Sequence, residues 1–85
     1  MAEFSYQSHL SREAVAFVVA LPKRRQRKIM DLADQISRHP FMIGDFRTTD
    51  DTGRSIESLL LEDYLFSYWV DHSSREVRIT EIVCV

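Results

Sequence analysis

The chain has 85 residues, 45% hydrophobic and 28% charged, with a formal net charge of −2, one cysteine, two glycines and two prolines. A domain of this size buries only about 60–65% of its unfolded surface, so residues 1–85 hold one core and leave no room for a second. A lone Cys84 rules out an internal disulfide framework and fits a reducing cytoplasm, no apolar run reaches the ~20 residues that span a bilayer, and Met1-Ala2-Glu3-Phe4 carries no signal-peptide pattern. The expectation is a cytoplasmic chain with no membrane partner.

Phe4 and Tyr6 alternate with Glu3, Ser5 and Gln7, which predicts a short half-buried strand. Ser8 or Ser11 then caps a helix over about residues 10–20, with Val15, Val18 and Val19 as its apolar stripe and Ala14 and Leu21 extending it. Pro22 opens a second helix, where its missing N–H costs nothing. Ile29, Leu32, Ala33 and Ile36 recur at i, i+3, i+4 and i+7 along it, and His39-Pro40 stops it. The short connection makes the two helices an antiparallel hairpin.

Residues 40–53 form a turn-rich joint. Phe41, Met42, Ile43 and Phe46 are expected to seal the edge of the core, Phe46-Arg47-Thr48-Thr49 to form a short edge strand, and Asp50-Asp51-Thr52-Gly53 to turn. Three strands follow: Ile56 to Leu61, the run from Tyr64 to Val70, and the run from Val77 to the C-terminus. Their tight turns at Glu62-Asp63 and Asp71-Ser74 require antiparallel pairing. In the last strand Val77, Ile79 and Glu81 are expected on one face, and Arg78, Thr80 and Ile82 on the other. The fold class is therefore α+β: a short N-terminal strand, a helix hairpin, and an antiparallel sheet of three to four strands.

Charge divides between the halves. Residues 1–44 hold seven Lys/Arg against four Asp/Glu, a net +3, and residues 45–85 hold four against nine, a net −5. Five of the cations crowd into Lys23-Arg24-Arg25-Gln26-Arg27-Lys28. They stand at the positive end of a helix dipole and repel at i, i+4 spacing. Either an external anion offsets them or they form a solvated face beside Asp31 and Asp34.

Leu21-Pro22-Lys23-Arg24-Arg25, the stripe behind it and the stop at His39-Pro40 resemble the helix hairpin of the RelE/ParE toxin superfamily. Gly44-Asp45-Phe46, Asp51-Thr52-Gly53-Arg54 and Tyr68-Trp69-Val70-Asp71-His72 before Glu76-Val77-Arg78-Ile79 extend the resemblance over nearly the whole chain. It implies the toxin component of a bacterial type II toxin–antitoxin system, a growth inhibitor with a cognate antitoxin protein as partner. Members cleave mRNA on the ribosome or bind DNA gyrase, and a degenerate partner-binding module is a further alternative. A homodimer stays open, and no cofactor is expected. The mRNA-cleaving pattern carries a cation just after the turn that starts the middle strand, where this chain has Leu65, and lysines on the preceding strand, where it has Ile56, Glu57 and Ser58. A basic and aromatic C-terminal segment of that pattern has no counterpart before Val85.

On this reading Arg54 and Arg78 are the candidate phosphate clamps and His72 the proton donor. Guanidinium forks match phosphate oxygens, and imidazole titrates near neutrality. Arg47, Arg54 and Arg78 are expected to converge on one sheet face, unless Glu57, Glu76 or Glu81 takes them as salt-bridge partners. Lys23, Arg24, Arg25, Arg27, Lys28 and Arg47 are the candidate nucleic-acid or antitoxin contacts. Tyr64 and Tyr68 alternate with Trp69, so one face holds the tyrosines and the other the tryptophan, each a strand-packing residue or a stacking platform. His9 and His39 read as helix caps or stops, and three scattered histidines with one cysteine make no metal site.

Overall fold

The computed structural model describes residues 5–85. The elements are β1 (Gln7–Leu10), α1 (Arg12–Val19), α2 (Lys23–Ser37), β2 (Phe46–Thr49), β3 (Ser55–Leu61), β4 (Tyr64–Asp71) and β5 (Glu76–Cys84). Strands β2 to β5 form an antiparallel meander. β1 adds to its far edge, parallel to β5, giving the order β1-β5-β4-β3-β2. The α+β class holds, with one parallel pair in an otherwise antiparallel sheet.

The N-terminal strand lies further along than the alternation around Tyr6 predicts. It runs from Gln7, and Phe4 falls outside the described residues. His9 is therefore a strand residue and no helix boundary. The cap is Ser11: its hydroxyl oxygen accepts from Ala14 N at 3.1 Å and donates to the Thr80 carbonyl at 2.7 Å. Ser11 N also donates to the Ile79 carbonyl at 2.9 Å, so β5 fixes where α1 begins.

Helix α1 keeps Ala14, Val18 and Leu21 of the expected stripe and loses Val15 and Val19 from it. Ala14 and Val18 are buried, Phe17 and Leu21 pack against the core, and Val15 and Val19 are 44% and 64% exposed. An eight-residue helix presents one narrow stripe. The 14/17/18/21 face carries Phe17, whose ring meets Tyr64 edge-on at 6.2 Å, and a large aromatic buries more area than Val15 or Val19. Helix α2 behaves as its periodicity requires: Ile29, Leu32, Ala33 and Ile36 are all buried. Pro22 leads into it, and the Gln26 side chain donates to the Leu21 carbonyl at 2.8 Å, closing the hairpin turn.

The helices cover one sheet face through Leu59, Tyr64, Phe66, Tyr68, Val77, Ile79 and Ile82. Simple alternation would send Ile82 to the other face. A bulge intervenes: Ser67 pairs with Glu81 while Tyr68 pairs with Ile79, leaving Thr80 as the extra residue. One inserted residue reverses the side-chain parity beyond it, and so both Ile79 and Ile82 reach the core. The hydroxyls of Ser11 and Thr80 hold the bulge, the first on the Thr80 carbonyl and the second on the Ser67 carbonyl at 3.1 Å.

The joint does not seal the core. Phe41, Met42, Ile43 and Phe46 are 76%, 36%, 71% and 64% exposed. Polar contacts dictate its path instead. Gly44 N donates to Glu57 Oε1 and Leu60 N to Asp45 Oδ2, each at 2.8 Å, which lays the backbone against β3 and turns the apolar side chains outward. A Cβ on Gly44 would stand 2.7 Å from the Ser58 carbonyl oxygen, so this approach requires glycine. The Asp50–Gly53 turn forms as expected, with Gly53 at φ +84° and Asp50 Oδ1 accepting from Thr52 and Arg54 backbone N–H groups at 2.9 Å each. These bonds, led by one from the Thr52 hydroxyl, hold the Asp50 carboxyl below its usual pKa.

Candidate functional site on the open sheet face

Paired residues on neighbouring strands share a face, so register sorts the side chains. Tyr68, Glu57 and Arg47 align on the helix side, and Trp69, Arg78 and His9 align on the open side. Arg47 therefore does not converge with Arg54 and Arg78 as expected. It turns to the other face, where its Nε donates to Glu57 Oε2 at 2.7 Å.

Arg54 and Arg78 do come together, and Trp69 is what joins them. The Arg54 guanidinium carbon lies 3.9 Å from the centre of the indole ring, and that of Arg78 lies 5.8 Å away. Each such contact at an exposed position contributes about 0.5–1 kcal/mol. Glu76 ties the far side: its carboxylate pairs with Arg78 and, at 3.1 Å, with His9 Nε2. Arg54 also pairs with Asp50 at 3.5 Å. A cleft of about 240 Å³ opens here between Trp69, Arg78, His9, Ser11 and Thr80.

His72 does not join them: it sits in a second cleft of about 250 Å³ that opens on the helix side of the sheet, with Arg47, Glu57 and Val70 in its lining. Its Nδ1 is 2.8 Å from the Tyr6 hydroxyl, a hydrogen bond, and its ring stacks on Phe41 at 4.9 Å with 12° between planes. The turn before it is held by Asp71. Hydrogen bonds from Ser74 and Ser73 keep that carboxyl below its ordinary pKa, the Ser74 bonds contributing most.

Four residues along the same open face, about 13 Å at ~3.3 Å per residue, the chemistry changes. Leu60, Leu65 and Val83 align in one row across three strands, with Leu60 48% and Val83 36% exposed. Leu65, where the resemblance to the mRNA-cleaving pattern leads one to expect a cation, is the middle residue of this aliphatic row.

The basic run lies elsewhere, on the first turns of α2. Lys28 pairs with Glu62 at 2.8 Å, a hydrogen bond that raises its pKa above the ordinary lysine value. Among the described residues no ion pair engages Lys23, Arg24, Arg25 or Arg27. Arg24, Arg25 and Lys28 border a shallow cleft with Asp63 and Tyr64. Tyr64 and Tyr68 are core residues, 5% and 0% exposed, and neither is a platform. Burial first, then the nearby carboxylates of Glu57 and Asp45, raises the Tyr68 pKa. Among the described residues no cluster of His, Cys, Asp and Glu is placed to hold a metal ion, and no helix is long and apolar enough to cross a membrane.

Sequence reasoning named Glu76 and Glu57 as salt-bridge partners, and Glu76 does pair with Arg78 and Glu57 with Arg47, but it missed His9 and Phe41 as neighbours of the candidate residues. The signal for Trp69 was present, since alternation already separated it from the two tyrosines. None existed for His9, whose place depends on a strand pairing across 69 residues, His9 with Arg78.

No family model and no curated protein matches the chain. Solved structures do. The toxin–antitoxin complex RelBE2 from Mycobacterium tuberculosis superimposes with a TM-score of 0.77 at 20% identity, over 95% of this chain and 99% of that one. The archaeal RelE–RelB complex from Pyrococcus horikoshii OT3 gives 0.69 at 19% identity over 94% of each chain, and the intact RelBE complex from E. coli gives 0.70 at 14% identity over 94% and 96%. Helix hairpin, meander and the parallel N-terminal strand together make this chain a bearer of the RelE toxin fold.

Proposed function

We propose that this chain is the growth-restraining toxin half of a type II toxin–antitoxin pair, held in check by a cognate antitoxin protein. The likeness to solved toxin–antitoxin complexes along nearly its full length is the observation that carries this reading. The unpaired cations of α2 support a partner, because Lys23, Arg24, Arg25 and Arg27 face outward without counter-ions among the described residues. An acidic antitoxin segment or a nucleic-acid backbone offsets such a cluster.

The toxin restrains growth mainly by binding, with weak or no mRNA cleavage. Cleaving a phosphodiester bond concentrates negative charge on the phosphorus oxygens, and preorganised cations supply the largest stabilising term. The row Leu60–Leu65–Val83 offers none. Arg54 and Arg78 are the remaining phosphate anchors. His72 is held by Tyr6 and Phe41 on the other face of the sheet, so it serves as proton donor to a phosphate at Arg54 and Arg78 only if the Asp71–Ser74 turn rearranges. Gyrase is a protein target compatible with this reading, and the ribosome with its mRNA is the alternative.

Induced expression with and without the adjacent reading frame tests the proposal, with primer extension on translated mRNA as the chemical readout. Growth arrest relieved by the neighbour is expected, without codon-linked cuts. No arrest removes the toxin reading. Strong cuts that vanish in Arg54→Ala, Arg78→Ala and His72→Ala overturn the binding mode and restore a nuclease.

A further inference from the structure

We infer that the free edge of β2 is a self-association surface, on which a second copy of this chain pairs antiparallel about a two-fold axis at Thr48 and joins two five-stranded sheets into one. This goes beyond the toxin assignment and does not depend on it.

The backbone pattern sets the register. Asp50 N donates to the Arg54 carbonyl at 2.9 Å, so Asp50 and Arg54 form a hydrogen-bonded pair. Along an antiparallel ladder such pairs alternate with pairs that share no bond. Thr48–Ile56 and Phe46–Ser58 are therefore bonded across β2 and β3, and Arg47–Glu57 and Thr49–Ser55 are not. The N–H and C=O groups of Arg47 and Thr49 accordingly point away from β3, to the edge of the sheet. A second β2 running antiparallel presents the same groups. With Thr48 on the axis, Arg47 of each copy exchanges both bonds with Thr49 of the other. Pairing about Arg47 instead sets two guanidinium side chains directly opposite, a like-charge pair that costs stability.

Side chains and surroundings fit a second copy there. Every residue of β2 is exposed. The devices that usually close an edge are missing: Phe46-Arg47-Thr48-Thr49 holds no proline and no lysine, and its ladder with β3 runs without a bulge. The one cation, Arg47, is drawn onto Glu57 on the helix side at 2.7 Å. At the other edge of the sheet, β1 lies against both helices. About the Thr48 axis Arg47 faces Thr49 and threonine faces threonine, so no like charges stand opposite within the strand. Phe46, 64% exposed on the open side, lies diagonal to Thr48 of the second copy, within reach of an aromatic ring. Pairing one edge with itself about a two-fold axis closes at two copies, since each β2 has a single free edge.

Sedimentation of the purified chain from micromolar to millimolar concentration reads the association. A dimer fraction that rises with concentration is expected, and the Arg47 and Thr49 amides gain protection from hydrogen exchange as it forms. Thr48→Lys sets two ammonium groups opposite on the axis, so it weakens association by roughly tenfold or more while melting as the native chain does when dilute. Cross-linking reads the register in a Cys84→Ser background, Cys84 being the one native thiol. Thr48→Cys forms a disulfide dimer on mild oxidation, because residues of a non-bonded antiparallel pair stand about 4.5 Å apart. Phe46→Cys does not, since its two copies lie about 13 Å apart along the strands, beyond the reach of a disulfide. A chain that stays monomeric up to millimolar concentration overturns the inference. So does a dimer that survives Thr48→Lys, or one that cross-links through Phe46→Cys and not through Thr48→Cys. Protection of Arg47 and Thr49 that appears only with the product of the adjacent reading frame gives the edge to that partner and likewise overturns it. Growth arrest is scored separately, so a monomer that still arrests growth sinks this edge alone and leaves the toxin reading standing.

Discussion

Val15 and Val18 carry the same side chain on the same helix, and the structure assigns them opposite fates. Val18 is 7% exposed in the core, and Val15 is 44% exposed. Replacing Val18 by alanine removes two buried methyl groups, worth about 0.8 kcal/mol each in transfer, and leaves a cavity that α1 and β5 fill only in part. Alanine returns roughly 0.5 kcal/mol through its better helix propensity. The net loss is about 1–2.5 kcal/mol. Val15→Ala gains the same propensity and gives up little burial, so it changes stability by less than ~0.5 kcal/mol. In a domain of this size 1 kcal/mol moves Tm by about 4–8 °C. Thermal melts by circular dichroism at matched pH should place Val18→Ala some 5–20 °C below the native chain and Val15→Ala within a few degrees of it. Equal losses at both positions would refute the 14/17/18/21 stripe and restore the valine face.

Gly44→Ala drives a Cβ to 2.7 Å from the Ser58 carbonyl oxygen. Urea melts should show a loss of about 1–3 kcal/mol, as overpacking produces, and an unchanged midpoint would mean the joint is not pressed on β3. Ser11→Ala removes both the α1 cap and the hydroxyl on the bulge carbonyl of Thr80. The expected loss is about 1–2 kcal/mol, read in the same assay, and Ser11→Asn should recover the capping part. Asp50 and Asp71 have lowered pKa values in the folded chain. Their contribution is complete above the ordinary aspartate value of about 3.9 and is lost as pH falls below it through the folded values. Tm should therefore drop on acidification below about pH 4, and Asp50→Asn with Asp71→Asn should flatten that limb; an identical acid limb in the double variant would refute the turn-capping role.

Local pattern alone determined much of this protein. The stripe Ile29–Leu32–Ala33–Ile36 has one amphipathic solution, and the stop at His39-Pro40 and the turns at Asp50–Gly53 and Glu62-Asp63 follow from backbone sterics within a few residues. The separation of Trp69 from Tyr64 and Tyr68 follows from the two-residue period of a strand. Contacts between distant segments decided the rest. A short helix such as α1 offers several narrow stripes, and its packing on β5, with Phe17 against Tyr64 of β4, selects Phe17 over Val15. Apolar Phe41 and Ile43 look like core residues, yet Glu57 and Asp45 hold their loop so that they point outward. The bulge at Thr80 shows in the sequence only as Ile82 falling out of phase with Val77 and Ile79, and the pairing with β4 and the Ser11 hydroxyl on the Thr80 carbonyl are what place it. The candidate site depends on the same long-range terms. Arg54, Trp69 and Arg78 are far apart in the chain, and β-sheet register, which moves every side chain to the opposite face with a shift of one residue, is what brings them together and sends Arg47 away.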